Sequence, residues 1–116
     1  MYRLAYSIVN KDWSLQDKAV NNPEWADKPE YFDEALSLLK SIDFSKVDIV
    51  TIAYGINDFT ACVSMDNTEN PKDIKTFAGA LKYSIETLLS AYPHLKIFVC
   101  SQTYRFRMDA DGVYTT

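Results

Sequence analysis

The sequence predicts an α/β fold with a largely parallel sheet, on three observations. "KVDIVTIAY" at 46–54 is dense in β-branched residues and apolar on both faces, as a strand covered on both sides should be. Ile74, Phe77, Ala78, Leu81, Ile85, Leu88, Leu89 and Tyr92 trace one helical stripe. "LKIFVCS" at 95–101 is a second apolar run of strand length. Strand, long helix, strand is a βαβ unit, because a tight turn cannot join parallel strands and the helix serves as the crossover.

The remaining elements follow in chain order. In "YRLAYSIV", residues 2–9, Tyr2, Leu4, Tyr6 and Ile8 alternate, which predicts a strand. Residues 10–29 read as irregular, broken by Asn21-Asn22-Pro23 and Lys28-Pro29. Trp13 and Trp25 fall in this stretch, either as caps over a core edge or as a wall of a ligand groove. A helix is expected from about 29 to 41. Asp27 would cap it, with Glu30 three residues on in the manner of a capping box, and Phe32, Ala35, Leu36 and Leu39 would form its buried face. The long helix should open at Asn70 as N-cap, with Pro71 at its first position and Asp73 at the positive end of its dipole. It should end at Tyr92-Pro93.

The chain has 116 residues, enough for one α/β domain over 1–116 with a single core. Its net charge is −4, and no cluster of Lys and Arg forms a basic face, which excludes the electrostatic footprint of nucleic-acid binding. Two cysteines, Cys62 and Cys100, are too few for a disulfide framework and are expected as free thiols, a usage that suits a reducing cytoplasm. "MYRLAYSIVNKDW" lacks the apolar core and small-residue cleavage site of a signal peptide. The longest apolar stretch, around Val47–Ile56, contains Asp48 and Thr51 and is too short to span a membrane.

The informative stretch is "TIAYGINDF" at 51–59, where the strand stops at a glycine. In open parallel sheets, ligands bind beyond the carboxyl ends of the strands. Gly55 allows a sharp turn or close backbone approach. Asn57 offers an amide donor suited to a developing oxyanion, and Asp58 offers a carboxylate. The competing reading is a turn in which Asn57 and Asp58 bond to their own backbone.

"VDIVTIAYGINDF" resembles the third conserved block of the SGNH (GDSL-type) hydrolases, Gly-x-Asn-Asp after a buried strand. The resemblance covers about residues 46–104, including the variable loop, the long amphipathic helix and the following strand. It implies a flavodoxin-like three-layer α/β/α fold, incomplete in this chain. It also implies hydrolysis of acyl esters by a serine nucleophile, on a small-molecule or glycan ester. Asn57 matches the side-chain oxyanion donor of that family. Gly55 and Asp58 match positions that shape the loop. No cofactor or metal is implied.

The rest of that family's machinery is not matched. No Gly-Asp-Ser triplet occurs, and Ser7 and Ser14 lack the strand–turn–helix setting of a nucleophile. The chain ends at Thr116 without an Asp-x-x-His block. The sole histidine, His94, falls at the amino end of its strand, across the sheet from Asn57, and is expected as a surface link residue. The reading is therefore a central segment of an SGNH-type hydrolase, inactive alone, with a non-catalytic α/β module of a larger assembly as the alternative. Unpaired sheet edges would favour self-association. Thr103, Tyr104 and Arg105 would share the carboxyl rim with Asn57, where Thr103 and Tyr104 are candidate substrate contacts. "MDADGVY" at 108–114 has two carboxylates of a calcium loop but not its glutamate. It reads as an Asp-Gly turn between short extended segments.

Overall fold

The β-branched run becomes strand β1, Ile49–Ile52, in a computed structural model that describes residues 1–101, 107–108 and 110–115. The run at 95–101 becomes β2, Lys96–Val99. The two strands pair in parallel, with Ile49 opposite Lys96 and Ile52 opposite Val99. The expected βαβ unit is present, and the protein is mixed α/β. The described parallel sheet has these two strands.

The long crossover helix is Phe77–Ala91. It begins later than the sequence predicts. Asn70 caps a turn rather than a helix, its Oδ1 accepting from the Lys72 amide at 3.3 Å. Asp73 accepts from the Asn67 side chain at 3.0 Å and from the Lys75 amide at 3.0 Å, which holds 67–75 as a loop. Thr76 is the true N-cap, its Oγ1 accepting from the Gly79 amide at 3.1 Å.

Residues 2–10 correct the strand expected there. They form a helix, Tyr2–Asn10. The alternation at Tyr2, Leu4, Tyr6 and Ile8 coexists with a period of four: Leu4 with Ile8, and Ala5 with Val9. Packing selects the second. Ala5, Ser7 and Ile8 are buried, whereas Tyr6 is 42% exposed. The partner surface is the crossover helix, where Ala80, Ser84 and Leu88 are buried. Small side chains let the two helix backbones approach closely. Numbered in chain order, the N-terminal helix is α1.

A short helix, α2, Ser14–Val20, interrupts the stretch read as irregular. The next, α3, is Tyr31–Ser41. Its expected cap is not made: the N-cap is Glu30 and no side chain bonds there. Lys28 instead reaches Asp33 at 2.6 Å, and Lys40 pairs with Asp17 to tie α3 to α2. Trp25 stacks at a tilt on Phe32, centroids 5.2 Å apart. Trp13 packs on the core, the cap position expected of it.

The core comprises Ala5, Ile8, Phe44, Leu88 and Leu95, with Leu39, Val50, Tyr92 and Ile97 packed against it. Ile8, Phe44, Leu88 and Leu95 each contribute about 1.5–3 kcal/mol by leaving water. Val50 and Ile97 are paired residues on one face of the sheet. Alternation puts Ile49, Thr51, Lys96 and Phe98 on the other face, where Ile49 and Phe98 are each 57% exposed. The expectation that the 46–54 strand is covered on both sides is thus not met among the described residues, because the helices share one core on one face. The Cα radius of gyration is 16.5 Å, against roughly 13 Å for a compact domain of about this length.

The Asp-Gly turn is borne out: Arg107–Met108 and Tyr114–Thr115 form a short antiparallel pair (β3 and β4), with Gly112 at φ 78° between them. Cys62 and Cys100 are exposed and form no disulfide. Among the described residues no helix is long and apolar enough to cross a membrane.

Candidate functional site

The site grows out of the end of β1. Ile52 is buried, and its carbonyl accepts from the Cys100 amide at 2.9 Å, which sets the tips of β1 and β2 side by side. The chain then passes Ala53 and Tyr54 to Gly55, which is buried at φ 123° and ψ −13°. A side chain there would be strained by the backbone alone. The Gly55 carbonyl accepts from the Phe59 amide at 2.9 Å and starts a helix of five residues, α4, Ile56–Thr60. The crossover helix Phe77–Ala91 is accordingly α5.

Helix α4 is not legible in the sequence as a helix, being a single turn nucleated by the glycine. It places Asn57 and Asp58 in its first turn, beyond the carboxyl end of β1. Asn57 is exposed, and its side-chain amide has no hydrogen-bond partner among the described residues. Its backbone carbonyl accepts from Ala61 at 2.9 Å, and that of Asp58 from Val63 at 2.9 Å. Neither side chain folds back to cap the turn. The self-bonded turn, the competing reading of this stretch, is not what forms.

Asp58 is half-buried. Burial lowers the pKa of the Met1 α-amino group below its ordinary 8.0, the Asp58 carboxylate pulls it back up, and Arg3 adds to the lowering. The start of α1 therefore sits beside this loop. Cys62 closes the segment in the left-handed conformation, φ 53°. Thr103, Tyr104 and Arg105 lie outside the described residues.

His94, Ser7 and Ser84 stand where a triad cannot use them. His94 precedes β2, and its Nε2 lies 3.0 Å from the Val47 carbonyl, just ahead of β1. That is the opposite end of the sheet from Asn57. Its ring stands edge-on to Tyr92, centroids 6.5 Å apart. Ser7 is 1% exposed in mid-helix, its hydroxyl 3.0 Å from both the Arg3 carbonyl and the Gln16 carboxamide. Ser84 is equally buried and donates to the Ala80 carbonyl at 2.7 Å. Among the described residues, no three of His, Cys, Asp and Glu stand close enough to hold a metal ion.

One concavity was not foreseen. Tyr2, Arg3, Tyr6, Leu15, Ile74 and Tyr83 line a groove of about 300 Å³. It exists because residues 2–10 are helical and bring Tyr2 and Tyr6, one turn apart, to the same side. The four-residue spacing of these tyrosines was the available signal.

No family model, curated protein or solved structure matches this chain.

Proposed function

We propose that this chain is the oxyanion-donor segment of an SGNH-type hydrolase acting on acyl esters of small molecules or glycans. One observation carries the reading. The Asn57 amide is exposed, without a partner among the described residues, and positioned beyond the carboxyl end of a parallel strand by a buried glycine at positive φ. A donor pre-positioned there is free to bond an oxygen as it gains charge, without first breaking another bond. Gly55 sets the turn that aims it, and Asp58 sits behind it in the same helical turn. The reading extends to the fold. The uncovered face that presents Ile49 and Phe98 is where the second helical layer of a three-layer α/β/α domain would pack, and parallel sheets are ordinarily covered on both faces.

The segment does not run the reaction alone. Acyl transfer through serine needs a nucleophile next to a base; Ser7 and Ser84 are buried, and His94, the sole histidine, is at the wrong end of the sheet. This same observation favours the second reading, a non-catalytic α/β module of a larger assembly. The coding DNA on both sides separates the two. A Gly-Asp-Ser block upstream and an Asp-x-x-His block downstream support the hydrolase, and their absence supports the module. A nitrophenyl ester assay on these 116 residues should show the buffer rate. Hydrolysis abolished by Asn57→Ala but untouched by His94→Ala would reveal a triad within the chain and overturn its inactivity.

A further inference from the structure

The groove between α1 and α5 has a chemistry of its own. Its walls are Tyr2, Arg3 and Tyr6 of α1, Tyr83 of α5, and the aliphatic side chains of Leu15 and Ile74. It includes none of Gly55, Asn57 or Asp58. The Tyr2 and Tyr83 rings meet edge to face, centroids 6.1 Å apart, a preferred aromatic geometry that holds one wall in place. Leu15 and Ile74 are 47% and 39% exposed, so the floor is apolar and open to solvent. The volume, about 300 Å³, stands at the small end of the range typical of ligand sites.

Among the described residues, Arg3 is the one charged residue lining the groove. Its Nε donates to the Tyr2 hydroxyl at 3.1 Å, and its guanidinium carbon lies 5.8 Å from the Tyr2 ring centre. These contacts orient the planar fork. No carboxylate pairs with it among the described residues, so its terminal nitrogens are unmatched. In a chain of net charge −4, a cation left unpaired beside tyrosine and aliphatic walls is complementary to one kind of ligand. That ligand has an apolar or aryl body for the walls and a carboxylate for the fork, which arginine takes in two parallel hydrogen bonds.

We propose that this groove binds a small amphipathic carboxylate, with its apolar body between Tyr2, Tyr6 and Tyr83 and its carboxylate on Arg3. The test uses the full chain and two probes, phenylbutyrate and its neutral amide, followed by calorimetry and by the tyrosine ring resonances. Phenylbutyrate should bind saturably, one to one, and shift the Tyr2, Tyr6 and Tyr83 signals. The amide should bind at least about tenfold more weakly, as befits loss of a charge-assisted pair. Arg3→Gln should remove that preference by weakening phenylbutyrate alone, and Arg3→Lys, which keeps the charge but loses the fork, should fall between. Arg3 is exposed, so circular dichroism should show both variants folded. Equal affinity for the two probes, indifference of phenylbutyrate binding to Arg3→Gln, shifts confined to other aromatic residues, or no binding at millimolar probe would each overturn the proposal.

Discussion

The Asp73 carbonyl oxygen lies 2.1 Å from the point where a Cβ on Gly79 would stand. The loop before α5 is folded directly onto the first turn of that helix, and the hydrogen on the Gly79 α-carbon is what makes room for it. In an open helix interior, alanine is better than glycine by roughly 1 kcal/mol. Here the order should invert. Gly79→Ala is expected to destabilise by about 1–3 kcal/mol, the range for overpacking against atoms that cannot turn aside. Urea unfolding checks this through a lowered midpoint at unchanged slope; a raised midpoint would mean the loop does not pack as described.

Thr76 works at the same junction. Its hydroxyl accepts from the Gly79 amide and donates to the Asp73 carbonyl at 2.8 Å. Thr76→Ala should cost about 1 kcal/mol, as loss of an N-cap usually does, while Asn70→Ala, at the cap the sequence favours, should cost less. Thermal unfolding of the two variants side by side ranks them. The reverse order would restore the earlier helix start.

Acid should loosen the same loop. The Asn67 side chain, then the Lys75 amide, hold the Asp73 carboxyl below its ordinary value of 3.8. A carboxyl lowered on folding contributes stability that is fully present above the unfolded value and is lost as pH falls through the folded one. Stability should therefore decline below pH 3.8. Asp73→Asn should flatten part of that slope, leaving the shares of Asp12 and Asp43, which Ser14 and Ser45 lower in the same way. The measurement is urea stability across the acid range in both proteins, and identical slopes would contradict it.

The open side of the sheet should make the isolated chain associate. The Lys96 and Cys100 amides bond to the carbonyls of Asp48 and Ile52. In a parallel ladder that turns the amides and carbonyls of Ile49 and Thr51 to the outer edge. An edge left unpaired among the described residues, beside exposed Ile49 and Phe98, is a template for another chain. Light scattering should give a mass above the monomer at high concentration, and Ile49→Lys with Phe98→Lys should return it to the monomer. A monodisperse monomer in the native chain at high concentration would contradict this.

The βαβ unit was legible because its strands are short runs dense in apolar, β-branched residues and its helix carries a strong period near 3.6. Helix α1 was not, because Tyr2, Leu4, Tyr6 and Ile8 fit a period of two as well as Leu4–Ile8 and Ala5–Val9 fit a period near four. What decides between them is the buried Ala80–Ser84–Leu88 face of α5, over seventy residues away in sequence. The late start of α5 was hidden for a related reason. Asn70 and Pro71 are good local signals, but Asp73 spends its carboxylate on Asn67 and Lys75 instead. At the candidate site, the position of Asn57 could be read from the strand and the glycine that follows it. The single turn of α4 that presents it could not, since five residues carry no period.

Asn57 also separates function from stability. With its side chain exposed and without a hydrogen-bond partner among the described residues, it should be replaceable at a cost within about 0.5 kcal/mol, the usual range for a surface position. The most direct measurement is therefore kcat for a short-chain nitrophenyl ester, using this chain expressed together with its flanking coding sequence. Asn57→Ala should lower kcat by about 10²–10³ with KM little changed, as loss of one oxyanion donor does, and His94→Ala should leave it unaltered. An Asn57→Ala protein that hydrolyses the ester at the native rate, or an extended chain that never hydrolyses it, would contradict the assignment.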